Sequence, residues 1–200
     1  MKKLYQGAEA ILYQHKGVLV KDRIAKGYRI PELDQRIRRQ RTRLEARVME
    51  QARRGGMAVP EILEVGESKL CMEFIAGERI KDTLDAMSQK RRIGVAEKIG
   101  TVISELHKNG IVHGDLTTSN MILFKGKVYL IDFGLAKRSS RREDQAVDLF
   151  LLHEALTSAH FSCFQEVWDT ALNVYKHKYH NSKEVLRRFE TIATRRRYKR

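Results

Sequence analysis

The stretch that most limits what this chain can fold into is residues 111–134, IVHGDLTTSNMILFKGKVYLIDFG. Two short apolar runs, MILF and KVYLI, flank Lys125–Gly126 and predict a pair of short strands around a turn. Asp115 and Asp132 stand at the ends of short apolar runs, with Asn120 between them. Packing alone gives no reason to put two carboxylates and a carboxamide where buried strands begin or end, because burying a charge is costly unless it is paired or coordinates an ion. A site for a cation and a phosphorylated ligand supplies the reason. Phosphoryl transfer needs hard oxygen ligands for a divalent metal, a group that orients the nucleophile, and cations against phosphate. On this reading Asp132 and Asn120 are the metal ligands, and Asp115 accepts a hydrogen bond from an attacking hydroxyl or water. Gly134, two residues after Asp132, lets the backbone turn sharply.

Upstream, residues 4–23 read as two strands, LYQGAEAILY and GVLVKDR, separated by QHK. In the second, Leu19 and Lys21 share a face, and an apolar side chain beside one ammonium suits a ligand with a flat ring and an anionic tail. GYRIPELDQRIRRQRTRLEARVMEQARRGG predicts one long helix, with Pro31 in its first turn and Gly55–Gly56 as its stop. Its apolar stripe is expected at Leu33, Ile37, Leu44, Val48 and Met49, interrupted at Arg41. Glu45 stands beside that stripe. Periodicity does not separate an intrahelical salt bridge to Arg41 or Arg38 from a carboxylate aimed inward at Lys21.

EILEVGES and KLCMEFIAGE read as two more strands, closing a β-rich lobe over residues 1–75. IAGERIKD is the expected hinge into a helical lobe over 76–194. There Leu84 and Met87 open one helix, while Ile99, Val102, Ile103 and Leu106 mark a longer one ending at Asn109–Gly110. AVDLFLLHEAL, CFQEVWDTALNVY and SKEVLRRFETIA predict three more, with Trp168 in the core. The last six residues, 195–200, carry five cations and are expected to form a mobile basic tail.

Thirty-nine Lys and Arg against 25 Asp and Glu leave a formal charge of +14, which attracts polyanions through a salt-sensitive electrostatic term. No run approaches the eighteen or so apolar residues of a membrane span, and MKKLYQGAEAIL lacks the sustained apolar core of a signal peptide. The two cysteines, Cys71 and Cys163, lie far apart without metal spacing and suit a reducing compartment. The expectation is a cytoplasmic protein without a membrane anchor.

Taken in order, these motifs resemble the protein-kinase superfamily. VLVK, ending at Lys21, looks like the strand that carries the ATP-binding lysine, and Glu45 looks like its helix partner. MEFIAGE resembles the hinge, with Met72 as gatekeeper and the backbones of Glu73 and Ile75 against adenine. HGDLTTSN resembles the catalytic loop, DFG at Asp132–Gly134 the metal-binding turn, and Asp148 in AVDLF the buried helix aspartate that braces the catalytic loop. The resemblance implies an α+β, minimal two-lobed kinase-like fold: a small β-rich N-lobe with one long helix, and a reduced helical C-lobe. It implies ATP and Mg²⁺ between the lobes, with Asp115 catalytic and with Asn120 and Asp132 on the metal. Gly7, Ala8, Glu9 and Ala10 would form the phosphate loop. Lys21 and Glu45 would steady the phosphates, and Leu19, Glu73, Ile75 and Ile122 would meet the nucleoside. His113 is expected to brace the loop, His107 to be a packed helix-end residue, and Ser139 and Ser140 to be either phosphoacceptors or loop filler.

Two departures narrow the comparison. QGAEAILY keeps only Gly7 of the usual three glycines, so it should cradle phosphates less closely or use Glu9 for another contact. Fifteen residues separate Asp132 from Asp148, without an APE motif, which leaves little room for a peptide-binding platform. HGDLTTSN, GYRIPELD, TRLEAR and the basic C-terminus together resemble the small atypical kinase subunits of the KEOPS complex, which makes threonylcarbamoyladenosine in tRNA. That resemblance implies a Mg²⁺-dependent ATPase and atypical serine/threonine kinase that supports a threonylcarbamoyl transferase partner. It implies docking by other KEOPS subunits, and tRNA contact through Arg195, Arg196, Arg197, Lys199 and Arg200. The short chain suggests a stand-alone subunit. An independent serine/threonine protein kinase would share the catalytic residues but needs the missing platform. A small-molecule kinase of the aminoglycoside or choline type needs a large helical substrate domain. A catalytically silent RNA- or protein-binding scaffold has no need to keep Lys21, Asp115, Asn120 and Asp132 together.

Overall fold

The computed structural model describes residues 1–197, with side chains described through Arg195. Lys199 and Arg200, two of the cations assigned to tRNA contact, lie outside the described residues, as do the side chains of Arg196 and Arg197.

Residues 2–23 form three strands where the sequence predicts two: β1 Lys2–Gln6, β2 Ala10–His15 and β3 Val18–Arg23, each antiparallel to the next. The long first strand is broken because the Gly7 N–H donates to Ala10 O at 3.0 Å, closing a tight turn inside QGAEA. Between β2 and β3 the turn falls at Lys16–Gly17, whose φ angles of 45° and 79° match the twist of a two-residue hairpin. β4 Ile62–Val65 and β5 Lys69–Glu73 complete a five-stranded sheet in the order β1-β2-β3-β5-β4. In its register Leu19 faces Met72 and Lys21 faces Leu70.

Helix α1, Pro31–Arg54, packs on β4 and β5. Its buried face holds Val48 and Met49 as expected, but also Asp34, Thr42 and Glu45. Leu33 and Leu44, assigned to the apolar stripe, are instead 38% and 49% exposed. The sheet face beneath α1 presents cations, so the helix turns Glu45 toward it. Leu44, about 100° away around the helix, is thereby rotated outward.

The chain leaves the sheet through Phe74–Gly77 into β6 Glu78–Arg79 and the one-turn helix α2 Ile80–Thr83. A short 3₁₀ turn over Leu84–Ala86 follows, so Leu84 and Met87 do not open the helix expected of them. Helix α3 spans Gln89–Lys108, and β7 Ile111–Val112, β8 Met121–Phe124, β9 Lys127–Leu130 and β10 Lys137–Arg138 come next. β6-β8-β9 form one small sheet and β10-β7 another. Helices α4 Arg142–Ala159, α5 Phe164–Lys178 and α6 Ser182–Arg197 close the lobe, with Trp168 in its core. Helix α6 continues through Arg195–Arg197, which corrects the reading of these residues as a separate tail. Ala and Arg are good helix formers, and cations at a C-terminus complement the helix dipole.

The α3–α5 contact fixes the helical lobe around Ile99, Val102, Ile103, Val167 and Tyr175. It depends on Gly100, where a Cβ would stand 2.2 Å from the carbonyl oxygen of Ala171. Gly100→Ala therefore pits a helix-propensity gain of about 1 kcal/mol against overpacking of roughly 1–3 kcal/mol. The backbone obstacle cannot swing aside, so a net loss of stability is expected. It should be read as a lower denaturant midpoint at unchanged slope.

Candidate active site

A cleft of about 620 Å³ lies between the five-stranded sheet and the β8–β9 hairpin. Its lining includes Leu19, Lys21, Glu45, Met72, Glu73, Ile75, Asn120, Ile122 and Asp132, which sequence reasoning had assigned to one ligand. Gly7, Ala8, Glu9 and Ala10 are not part of that lining; β1 contributes Leu4 and Tyr5 there instead. Glu9 Oε2 pairs with Arg41 Nη1 at 2.9 Å, which accounts for the arginine interrupting the apolar stripe of α1.

Alternation along β3 places Leu19, Lys21 and Arg23 on one face. Lys21 Nζ lies 2.7 Å from Glu45 Oε1 and 2.7 Å from Asp132 Oδ1. Arg23 Nη2 lies 2.5 Å from Glu45 Oε2. Glu45 is 2% exposed, Lys21 8% and Arg23 6%, so this carboxylate is nearly dry and has a cation on each oxygen. The inward reading of Glu45 holds; Arg38 is occupied by Asp34 at 2.7 Å. Arg23 went unnoticed in the sequence, although its spacing of two from Lys21 on a strand was the available signal.

Asp132 adopts φ +59°, the left-handed region that non-glycine residues seldom occupy. Buried Phe133 anchors the turn, its ring 4.9 Å from that of His113. Burial pushes the Asp132 carboxyl upward. The Lys21 charge and hydrogen bond, with the Gly134 N–H, outweigh that and hold it below the ordinary carboxylate value. Its oxygens are thus available as anions.

The catalytic-loop stretch is held from behind by Asp148 on α4, which accepts the His113 N–H at 2.7 Å and the Gly114 N–H at 2.8 Å. Gly114 is obligatory, with φ +79° and Leu135 O only 2.5 Å from any Cβ. His113 Nε2 donates to Ile131 O at 3.1 Å, and its Nδ1 accepts the Asp115 N–H at 3.3 Å. It is a brace tying the loop to the strand before Asp132. His107, buried at the end of α3, lies 2.8 Å from the Tyr175 hydroxyl and 3.5 Å from Asp148. Ser139 donates to Asp144 at 2.6 Å at the start of α4.

Asn120 donates from Nδ2 to both the backbone oxygen and Oδ2 of Asp115, each at 2.9 Å. Its own backbone oxygen accepts the Ile131 N–H at 3.0 Å. Asp115, Asn120 and Asp132 are thereby gathered into one constellation. The carboxamide oxygen of Asn120 is spared, and with the Asp132 carboxylate it offers one neutral and one anionic hard oxygen. Such a pair suits Mg²⁺, which dehydrates reluctantly and completes its shell with phosphate and water.

The RIO domain family matches residues 13–150. The KEOPS complex subunit Bud32 of Pyrococcus abyssi is 44% identical over 187 residues, covering 88% of this chain and 85% of that protein. A probable bifunctional tRNA threonylcarbamoyladenosine biosynthesis protein of Methanosarcina mazei is 42% identical over 200 residues, covering 98% of this chain. The chain spans only 35% of that bifunctional relative. Among solved structures, the Rio2 kinase–ADP/Mg²⁺–phosphoaspartate complex of Chaetomium thermophilum superposes over 98% of this chain and 70% of that one. Its TM-score is 0.65 at 13% identity, which establishes a shared kinase-like fold.

Arg23→Leu would leave half of a dry carboxylate without its cation, at an expected loss of about 3–5 kcal/mol in urea denaturation. Arg41→Ala removes the exposed pair with Glu9 and should change stability by less than about 1 kcal/mol. Comparable losses from both variants would contradict the shared-carboxylate account.

Proposed function

The chain belongs to the RIO-domain family that includes the Bud32 subunits, and on that premise we propose that it is a Mg²⁺-dependent ATPase and atypical serine kinase serving tRNA threonylcarbamoyladenosine formation as a KEOPS subunit. The observation that carries this reading is the ion-paired Lys21 facing Asp132 in a cleft that Asn120 also lines, with Asp115 hydrogen-bonded to Asn120.

In this reading adenine lies between Leu19 and Ile122, against the backbones of Glu73 and Ile75. Glu45, itself fixed by Arg23, holds Lys21 against the phosphates. Asn120 and Asp132 hold Mg²⁺, which when bound neutralises charge on the phosphate oxygens. Asp115 orients a water or serine hydroxyl and accepts its proton as the oxygen attacks the γ-phosphorus in line. The bond to the β–γ bridging oxygen breaks and ADP departs. Positioning and charge neutralisation supply most of the acceleration in such transfers.

Two features favour a partner-directed ATPase over an independent protein kinase. The segment after Asp132 is used up by the β10–β7 pairing and the start of α4 at Arg142, leaving no peptide platform. The relatives named for the KEOPS complex and for tRNA threonylcarbamoyladenosine biosynthesis match nearly the whole chain. No helix among the described residues is long and apolar enough to cross a membrane, and we place the protein in the cytoplasm with its tRNA-modifying partners. Arg195–Arg197 at the end of α6, with Lys199 and Arg200, are the proposed tRNA contacts.

The test follows γ-labelled ATP with the protein and Mg²⁺, alone and then with a threonylcarbamoyl transferase subunit and tRNA. Free phosphate that rises with the partner is expected, disappearing with EDTA or in Asp132→Ala. Label spreading instead to assorted added proteins would mean an independent kinase, and no Asp132-dependent turnover in any mixture would leave a scaffold. Asp115→Asn should keep nucleotide binding and lower kcat by about 10²–10⁴-fold.

A further inference from the structure

The reaction gives Thr118, in HGDLTTSN, no task, yet the structure spends three segments on it. Its hydroxyl lies 3.0 Å from His160 Nε2, and His160 Nδ1 lies 2.6 Å from Asp85 Oδ2. Thr118 and His160 are buried. Asp85 comes from the 3₁₀ turn after α2, His160 directly follows α4, and Thr118 opens the 3₁₀ turn that ends at Asn120. Asp85 is fixed in its turn, also accepting from Ser162 Oγ at 3.1 Å and Cys163 Sγ at 3.5 Å.

Carboxylate, imidazole and hydroxyl stand in the order of a hydrolytic triad, but the sealed hydroxyl of Thr118 meets no substrate. The order ties the loop to the Asp85 turn through one imidazole instead. With Nδ1–H donated to the Asp85 carboxylate, Nε2 is the ring nitrogen left to hydrogen-bond the Thr118 hydroxyl. Asp148 on α4 already grips the first half of the loop through His113 and Gly114. His160 grips the second half from the end of the same helix.

We propose that the Asp85–His160 pair is a positioning device for the Thr118–Asn120 turn, acting through the Thr118 hydroxyl to set Asn120 for the metal. The consequence for catalysis rests on the ATPase reading above; the brace itself does not. Outer partners of metal ligands are typically worth about 10–100-fold in metal affinity or activity.

The experiment compares the full chain with Thr118→Val, which keeps the shape and loses the hydroxyl, and Thr118→Ser, which restores the hydroxyl. Amide hydrogen exchange over residues 116–121 is measured without nucleotide, and ATP turnover is titrated with Mg²⁺. Thr118→Val should speed exchange in the turn and raise the half-saturating Mg²⁺ concentration by about tenfold or more, with little change in the KM for ATP at saturating metal. Thr118→Ser should return both readouts close to wild type. Wild-type exchange and Mg²⁺ dependence in Thr118→Val would overturn the proposal, since the threonine would then matter only as bulk. If Thr118→Val does not fold, Asp85→Asn replaces it: accelerated exchange in the turn is then expected, and unchanged exchange overturns the brace. If the wild-type protein shows no turnover even with the transferase subunit and tRNA, the ATPase reading has failed, and hydrogen exchange alone decides.

Discussion

The Glu45 carboxylate is almost out of water, and a carboxylate in that position is stable only if its charge is answered on the spot. Lys21 and Arg23 answer it, one on each oxygen. Much of the small lobe follows from that requirement. β3 must carry two cations on the face it shares with an apolar Leu19, and α1 must rotate so that its glutamate faces the sheet. The apolar contacts around Ala46, Met49 and Ala52 then pack beside a charged centre instead of filling the whole interface. Because Arg23 holds Glu45 independently of Lys21, α1 keeps its place whichever anion Lys21 meets.

The larger lobe is organised around the complementary problem of holding a backbone loop that has little regular structure of its own. Asp148 takes two consecutive N–H groups, and His107, hydrogen-bonded to Tyr175, lies behind it in the core. Asp148 and His160 belong to α4 and its end, so one helix sets the loop that carries Asp115 and Asn120. The tight α3–α5 contact at Gly100 lies deeper in the same lobe.

The loop around Asp115 and the turn at Asp132 were legible because polar residues at the ends of apolar runs have few physical explanations. The register of β3 was legible for a similar reason, since alternation alone put Leu19 and Lys21 together. The α1 stripe was misread at Leu33 and Leu44 because periodicity assumes that the buried face is apolar, and here the partner surface is charged. Arg23 was hidden among 39 Lys and Arg in a chain where one more basic residue carries no signal. The break at Gly7 depended on a single backbone hydrogen bond inside a stretch with strand-like composition. His160 and Asp85 sit 75 residues apart and meet only in the folded chain. Residues 195–197 were read as a tail from charge alone, although their helix propensity pointed the other way.

The stretch from Phe133 to Arg141 is anchored at both ends and in the middle: Phe133 in the core, Lys137–Arg138 paired with β7, and Ser139 on Asp144. The order–disorder switching used by longer activation loops would have to break all three of these anchors at once within a nine-residue segment. Control over turnover would have to come from outside the chain, through whatever occupies or vacates its surface. The molecule is built like a component with its switch mounted elsewhere.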